Sequence, residues 1–446
     1  MPAKSSGSRA LSRIIAMILL ASSSPACLSA QENNHPPQGY RALFNGRDLE
    51  GWHGMDHFDP RTLASMSDEE RAKKRETDTT DAQKHWSVQN GELVNDGYGA
   101  YLTTDEKFEN IDFWIDYKTV AQADSGIYLR ATPQVQIWDY TKEGGKWGIG
   151  ADKGSGGLWN NAAGSLGKDP LVLADKPFGE WNRFRIRQVG ALTSVWLNGK
   201  QVVDKAPMHN FWDSASPLLR KGPIQLQTHG GEIRWRNLFI REIPWEEALA
   251  ELAAQPAEGF VPLLKGDNLS GWKGPVDNYE LKDGVLRCLP GKGGSIYTAD
   301  EYSDFVVRLQ FRLPPAGNNG LAIRYPGEGD PAYTGMCELQ VLDSEHPQYA
   351  SLDPRQYHGS AYGMAAAARG YLRPSGEWNF QEVTVVGSRI RVQLNGYQIL
   401  DADLAEVKEL MANTPHPGKE RTKGHFGFAG HGDAVEFRDV QIKSLK

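Results

Sequence analysis

The sequence predicts an all-β chain of two tandem β-sandwich domains, and three observations lead there. The first is a repeat. Gly39-Tyr-Arg-Ala-Leu-Phe-Asn-Gly-Arg-Asp-Leu-Glu-Gly-Trp52 returns as Gly259-Phe-Val-Pro-Leu-Leu-Lys-Gly-Asp-Asn-Leu-Ser-Gly-Trp272. Gly179-Glu-Trp-Asn182 returns as Gly376-Glu-Trp-Asn379, and Leu197-Asn-Gly199 as Leu394-Asn-Gly396, in the same order. A repeat this long is a whole domain, because solenoid repeats run only about 20–50 residues. The second is period-two alternation, and the third is the Asn-Gly turns placed between alternating runs.

Each run reads as a strand in turn. In the first half Phe113–Tyr117, Phe184–Arg187, Thr193–Leu197 and Ile224–Gln227 alternate apolar and polar residues. In the second half Phe305–Phe311, Val383–Val386, Ile390–Leu394 and Val435–Ile442 do the same. Asn198-Gly199 and Asn395-Gly396 supply the positive φ angles of tight hairpins, and Asn90-Gly91 and Asp283-Gly284 repeat the signal upstream. Many short strands with Gly-rich turns predict a two-sheet sandwich or jelly roll in each half. Two stretches depart from this pattern. Residues 59–84 are charged, have no counterpart in the second half, and begin with the capping-box spacing Ser67-Asp-Glu-Glu70 of a surface helix. Residues 244–258 are helix-prone and bounded by prolines, as a short helical linker would be. The expected organisation is a first domain over 39–243, this linker, and a second domain over 259–446.

The N-terminus reads as a targeting segment over residues 1–30. Lys4, Arg9 and Arg13 precede the apolar run Ile14–Ala21, then small residues and Cys27. A positive start, a short apolar run and a small-residue cleavage zone make a secretory signal, too short to span a bilayer. The expected location is therefore periplasmic or extracellular, with no transmembrane span in the mature chain. Cleavage after Ala26 would leave Cys27 N-terminal and open to a lipid, but Ser24-Pro25-Ala26 is a poor lipoprotein box. Residues 31–38 read as a polar leader. Cys288 and Cys337 then remain, which read as two buried free thiols rather than a disulfide framework. Net charge is −7 with both signs interspersed and no basic stripe, so nucleic acid is not an expected partner. Thirteen Trp and sixteen Tyr suit both large cores and carbohydrate platforms.

Polar residues inside strands are the candidates for chemistry. Pro133-Gln-Val-Gln-Ile-Trp-Asp139 aligns with Cys337-Glu-Leu-Gln-Val-Leu-Asp343. Gln134 and Gln136 share one strand face, as do Glu338 and Gln340, opposite the apolar residues. That arrangement alone also suits an ordinary exposed sheet face. Arg130 and Arg324 each end a preceding strand, and His229 and His431 each sit in a late Gly-rich turn. Recurrence of this set in both copies points to a polar cleft. Trp181 and Trp378 of the Gly-Glu-Trp-Asn blocks read as structural, each opening a strand and packing across the sandwich.

These blocks, with Ser125-Gly-Ile-Tyr-Leu-Arg130 and Gln225-Leu-Gln-Thr-His-Gly-Gly231, resemble the 3-keto-disaccharide hydrolase family over nearly all of both halves. The resemblance implies a concanavalin A-like jelly roll in each copy and an exported enzyme acting on glycosides oxidised to a ketone at C3. A C3 ketone acidifies the C2 proton, so the bond at C1 can break by elimination and be completed by hydration. That route needs a base near C2, a group stabilising the enolate oxygen and an acid for the leaving oxygen. On this basis His229 and His431 are the expected proton-transfer residues, with Glu338 an added carboxylate that favours the second copy. Arg130 and Arg324 would polarise oxygens, the catalytic candidates Asp139 and Asp343, with Gln136 and Gln340, would orient hydroxyls or hold a divalent cation, and Gln134 would contact substrate. Tyr362 and His358 are further candidates for lining the second cleft, while the first copy keeps more of the family motif, including Gly154–Asn161. The paired carboxylates of an ordinary retaining glucanase strand, Glu-x-Asp-x-x-Glu, are incomplete in both copies.

No nicotinamide or flavin motif is present, so a separate sugar 3-oxidoreductase is the implied pathway partner and a small carbohydrate the substrate. No cofactor is established; clustered Asp, Glu and His leave room for a divalent cation, without a transition-metal spacing. Three alternatives stand beside the enzyme reading: a tandem lectin-like sugar binder, one active copy beside one scaffold copy, and, more weakly, ordinary glycosidase activity on unoxidised sugars.

Overall fold

Alternating strands with one apolar face must bury that face against another layer, and each half does so by stacking two antiparallel sheets. A computed structural model describes residues 33–254, 256 and 258–445. The expected targeting segment, residues 1–30, lies outside these residues, and the leader is described from 33 onward. In the first half the larger sheet runs Lys200–Pro207, Leu192–Leu197, Asn182–Val189, Ile111–Thr119, Ile233–Glu242, Glu92–Asn95, Trp86–Gln89. The smaller runs Trp52–Met55, Tyr101–Thr104, Ile224–Leu226, Asp124–Leu129, Gln134–Trp138.

The second half repeats both sheets in the same order. Its smaller sheet runs Trp272–Lys273, Gly294–Tyr302, Gly424–Gly430, Asn318–Tyr325, Cys337–Leu342. The chain is thus all-β in its domains, two tandem jelly-roll sandwiches. Phe113, Ile115, Ile127 and Leu226 fill the first interior, and Leu309, Phe311, Leu321 and Phe428 the second. Each such side chain adds about 1.5–3 kcal/mol when fully buried. Asn198 and Gly199 (φ 52° and 81°) and Asn395 and Gly396 (φ 54° and 85°) close the hairpins in the left-handed region that Asn-Gly favours. Cys288 and Cys337 are both buried and unpaired. Trp181 and Trp378 lie on the outer face of the larger sheets rather than across the sandwich, under Arg236 (4.0 Å) and Arg438 (4.1 Å).

Two helices join this frame. Asp68–His85 begins in a complete capping box between Ser67 and Glu70 and packs on the strand Trp52–Met55. Gly54 is required there, since a Cβ would lie 2.0 Å from the Asp78 carbonyl oxygen. Trp245–Ala253 sits between the halves. Leu249 and Leu252 pack with Val189 and Phe380, and Trp245 Nε1 donates to the Trp378 carbonyl at 2.8 Å. The halves also meet directly, where Ala191 N–H donates to the Gly396 carbonyl and Tyr371 Oη to the Leu218 carbonyl.

Candidate functional site

Strand register defines which residues of the two halves are equivalent. Gly126 pairs with Gln136 and Ile127 with Val135, as Gly320 pairs with Gln340 and Leu321 with Leu339. Leu226 pairs with both Ile127 and Leu102, as Phe428 pairs with Leu321 and Ile296. Hence Gln134 corresponds to Glu338, His229 to His431, Asp124 to Asn318, Tyr128 to Ala322, Tyr101 to Ser295, and Gln227 to Ala429. All stand on the face of the smaller sheet opposite the sandwich core.

In the second half this face is open. Two adjoining cavities of about 220 and 420 Å³ share a wall formed by Asp330, Glu338 and His431. Glu338 is 4 % exposed, and its Oε1 lies 3.4 Å from Nε2 of His431, whose side chain is 46 % exposed. The hydrogen bond to Glu338 raises the His431 pKa above its usual value, against partial burial, and Asp330 adds to the rise. Gly320 gives Glu338 its room, since a Cβ there would lie 2.1 Å from Oε1. Around the pair, Gln340 Nε2 donates to Asn318 Oδ1 at 2.8 Å, and Gln356 Nε2 to Tyr362 Oη at 3.0 Å. Those bonds leave the Asn318 amide N–H, the Gln340 carbonyl and the Tyr362 hydroxyl proton to face a ligand. Tyr333 and Tyr349 complete an aromatic wall.

In the first half the same face is filled. Tyr101 stands where Ser295 leaves space, and Tyr128 takes the place of Ala322, with His57 stacked on Tyr101 and Trp212 4.7 Å from His57. Gln134, Gln136 and Gln227 are buried beneath. The carboxylate has moved to Asp124, which receives Gln136 Nε2 at 2.7 Å and the Lys146 ammonium. Burial raises the Asp124 pKa, but bonds from His229 and Lys146 outweigh it and hold it below normal. His229 Nδ1 lies 3.1 Å from Asp124, and that bond raises the histidine's pKa.

The remaining expected site residues lie elsewhere. Arg130 and Arg324 have positive φ (57° and 46°), which turns their side chains off the strand ends. Arg130 donates to the carbonyls of Leu219, Glu109 and Gly190 and to Tyr397 Oη, and Arg324 to those of Ser303, Gly387 and Arg421 and to Asp304. Neither guanidinium lines the open cleft. Asp139 holds a turn through Gln122 N–H, Thr141 N–H and Thr141 Oγ1, and Asp343 holds its own through Ala316 N–H and Ser375 Oγ. His358 is buried against Phe311 and bonded to Gln381, and burial lowers its pKa to about 3. It is a neutral interior residue. So Glu338, His431, Gln340 and Tyr362 come together in the second half, and Gln134, Gln136 and His229 gather in the first.

Segments 39–241 and 259–443 both match the family described as 3-keto-alpha-glucoside-1,2-lyase-like domain. The chain belongs to this family. A 3-keto-disaccharide hydrolase of Bacteroides thetaiotaomicron is 24 % identical over 233 residues, 42 % of this chain and 79 % of that protein. Two crystal structures from Parabacteroides distasonis that carry a provisional glycosyl hydrolase name are also similar. One is 29 % identical with TM-score 0.38, covering 42 % of this chain and 99 % of its own. The other is 24 % identical with TM-score 0.37, covering 43 % and 96 %. Family membership and the hydrolase relative make this a member of a carbohydrate-hydrolase family.

Asp330 and Tyr333 were not among the residues expected from sequence. They stand on a loop bearing the helical turn Pro331–Thr334, which Asp330 caps by accepting from Ala332 N–H. Thirteen residues separate Arg324 from Glu338, while three separate Arg130 from Gln134. That length difference between the copies was the available signal. Among the described residues no group of three or more His, Cys, Asp or Glu is arranged to hold a metal ion. Among the described residues, too, no helix is long and apolar enough to cross a membrane.

Proposed function

We propose that the second domain is the working copy and cleaves the glycosidic bond of 3-keto-glycosides, with Glu338 and His431 as its proton-transfer pair. The observation that carries this reading is the Glu338–His431 contact at the shared wall of two cavities open to a sugar. The family match and the Bacteroides relative supply the substrate class.

In this scheme the Glu338 carboxylate takes the C2 proton of the 3-keto sugar. The C1–O bond breaks with its electron pair going to the leaving oxygen, which receives the imidazolium proton of His431. A C1–C2 double bond conjugated to the ketone results. Water then adds at C1, giving a proton back to His431, while Glu338 returns its proton to C2. The net change is one water consumed and one bond cleaved. The Tyr362 hydroxyl and the Asn318 amide would donate to the enolate or to ring hydroxyls as charge develops. The raised pKa of His431 suits it to start as the acid, and a nearby carboxylate suits the base.

The test is release of reducing sugar from a 3-keto-disaccharide and, in parallel, from its unoxidised parent. Cleavage confined to the keto-sugar and reduced about 10²–10⁴-fold in Glu338→Gln supports the scheme. Equal cleavage of both sugars, or full activity in the variant, refutes it. Saturable sugar binding without any cleavage would favour the lectin-like alternative. Export to the periplasm or outside the cell, and supply of the ketone by a separate oxidoreductase, belong to the same proposal.

A further inference from the structure

Glu338 Oε1 and His431 Nε2 lie 3.4 Å apart at the wall that the two cavities of the second domain share. A sugar ring placed between an acid and a base needs van der Waals contact of about 3.5–4 Å on each of its faces. No ring fits between these two groups, so both must approach it from one side. The sheet fixes their placement. Glu338 is buried over Gly320, and His431 follows Gly430, which pairs with Gly294 and Asn319.

Among the described residues lining both cavities, the carboxylates and the imidazole are Asp330, Glu338 and His431, all in that wall. Asp330 is engaged in capping its turn at Ala332 N–H. The lining tyrosines are much weaker acids, with an ordinary pKa of about 10. Tyr325 and Tyr349 already donate to the Gly329 and Ala316 carbonyls. Acid and base are thus confined to one face of a bound sugar, and stereochemistry follows from that. In a β-glucoside C2–H and the C1–O bond lie on the same face of the ring, whereas in an α-glucoside they lie on opposite faces. C2 and the glycosidic oxygen are both bonded to C1, so two neighbouring groups on one side reach both in the β case. In the α case a base at C2 leaves His431 across the ring from the departing oxygen.

We propose that the second domain performs a syn elimination and is selective for 3-keto-β-glucosides over 3-keto-α-glucosides. The proposal rests on the elimination scheme above and adds its stereochemistry. Glu338 takes the C2 proton, and the C1–O electron pair leaves on the oxygen that receives the His431 proton. Water then adds at C1 from the same face, giving its proton to His431, and Glu338 returns the proton to C2 with configuration retained. The family's description names an α-glucoside, so the anomer preference is what this domain's own geometry adds.

The test is cleavage, by the full chain in D2O, of 3-keto-cellobiose and 3-keto-maltose oxidised on the non-reducing ring. They share a leaving glucose and differ only in the anomeric bond. Each rate is divided by its enzyme-free rate, which removes the intrinsic difference between the anomers. Because acid catalysis contributes about 10²–10⁴-fold, the cellobiose derivative should be favoured at least about ten-fold, and His431→Ala should abolish that preference. Circular dichroism verifies that the variant folds. Deuterium should enter C2 of the released keto-glucose, because Glu338 can exchange with solvent once the leaving sugar has gone. Equal or faster cleavage of the maltose derivative, or a preference unchanged in His431→Ala, overturns the proposal while C2 deuterium keeps the elimination scheme standing. Loss of maltose-derivative cleavage in Tyr333→Phe would then place the acid on Tyr333. Cleavage without C2 deuterium above the enzyme-free level, or no cleavage of either sugar, overturns the scheme and the proposal with it.

Discussion

The two smaller sheets share strand order, register and a histidine at the same turn, yet one presents an open cleft and the other a filled face. The difference comes down to a few positions. Ser295 and Ala429 line open space where the first domain has Tyr101 and Gln227, and Tyr128 takes the place of Ala322. The loop from Tyr325 to Met336 then raises a wall bearing Asp330 and Tyr333, where the first domain has a tight turn. The carboxylate changes place as well, from Asp124, neutralised by Lys146, to Glu338, which pairs with His431. Duplication preserved the frame because core packing enforces it. The outer face carried no such constraint, and the two copies separated there.

Transplanting the first domain's residues should break the comparison most strongly. Ser295→Tyr combined with Ala429→Gln is expected to lower kcat/KM on the keto-sugar about 100-fold or more by filling the cleft, with the melting temperature held within a few degrees. Steady-state kinetics and calorimetry check both. Next comes Gly320→Ala, whose Cβ would meet Glu338 Oε1. Displacing a reacting group by about 1 Å can cost on the order of 10²-fold, so a loss of roughly 10–100-fold in kcat is expected. Gly126→Ala, the matching change in the first domain, should leave kcat unaltered.

The pH profile gives a smaller but more specific signal. His431 has its pKa raised by Glu338, so its acidic form persists above the usual histidine value near 6.5 and is lost as pH rises through the folded-state pKa. Activity should therefore fall on the alkaline side of that value. Asp330→Asn removes one contributor while still capping its turn, and should move this limb to lower pH with kcat maintained. Smallest for activity is Gly190→Ala, at the domain junction. Its φ of 58° and a Cβ 2.6 Å from the Asn395 carbonyl oxygen should cost about 1–3 kcal/mol in urea unfolding and change kcat less than two-fold.

The fold was legible because it rests on local rules repeated twice. The alternation in Phe305–Phe311 and the Asn395-Gly396 turn each have one geometric meaning. The cleft was legible only in part. Period two puts Glu338 and Gln340 on one face with the strand's apolar residues on the other, and both line the open cavity, but it does not say what covers that face. Arg130 and Arg324 looked like cleft residues because they end cleft strands, and a positive φ at each turns them away. Asp139 and Asp343 sit one residue past their strands, where short acidic side chains hold turns. His358 was a candidate through its nearness in sequence to Tyr362, yet its ring goes inward to Gln381. Asp330 lay in a segment with no partner in the first copy, so matching the repeats passed over it.

On the proposed scheme chemistry belongs to the second copy alone. The most direct measurement is cleavage of a 3-keto-disaccharide by the full chain carrying His229→Ala or His431→Ala. Loss of at least about 100-fold in kcat for His431→Ala, with His229→Ala within two-fold of the parent, is the predicted result. A comparable loss in His229→Ala, or unchanged activity in His431→Ala, would contradict it.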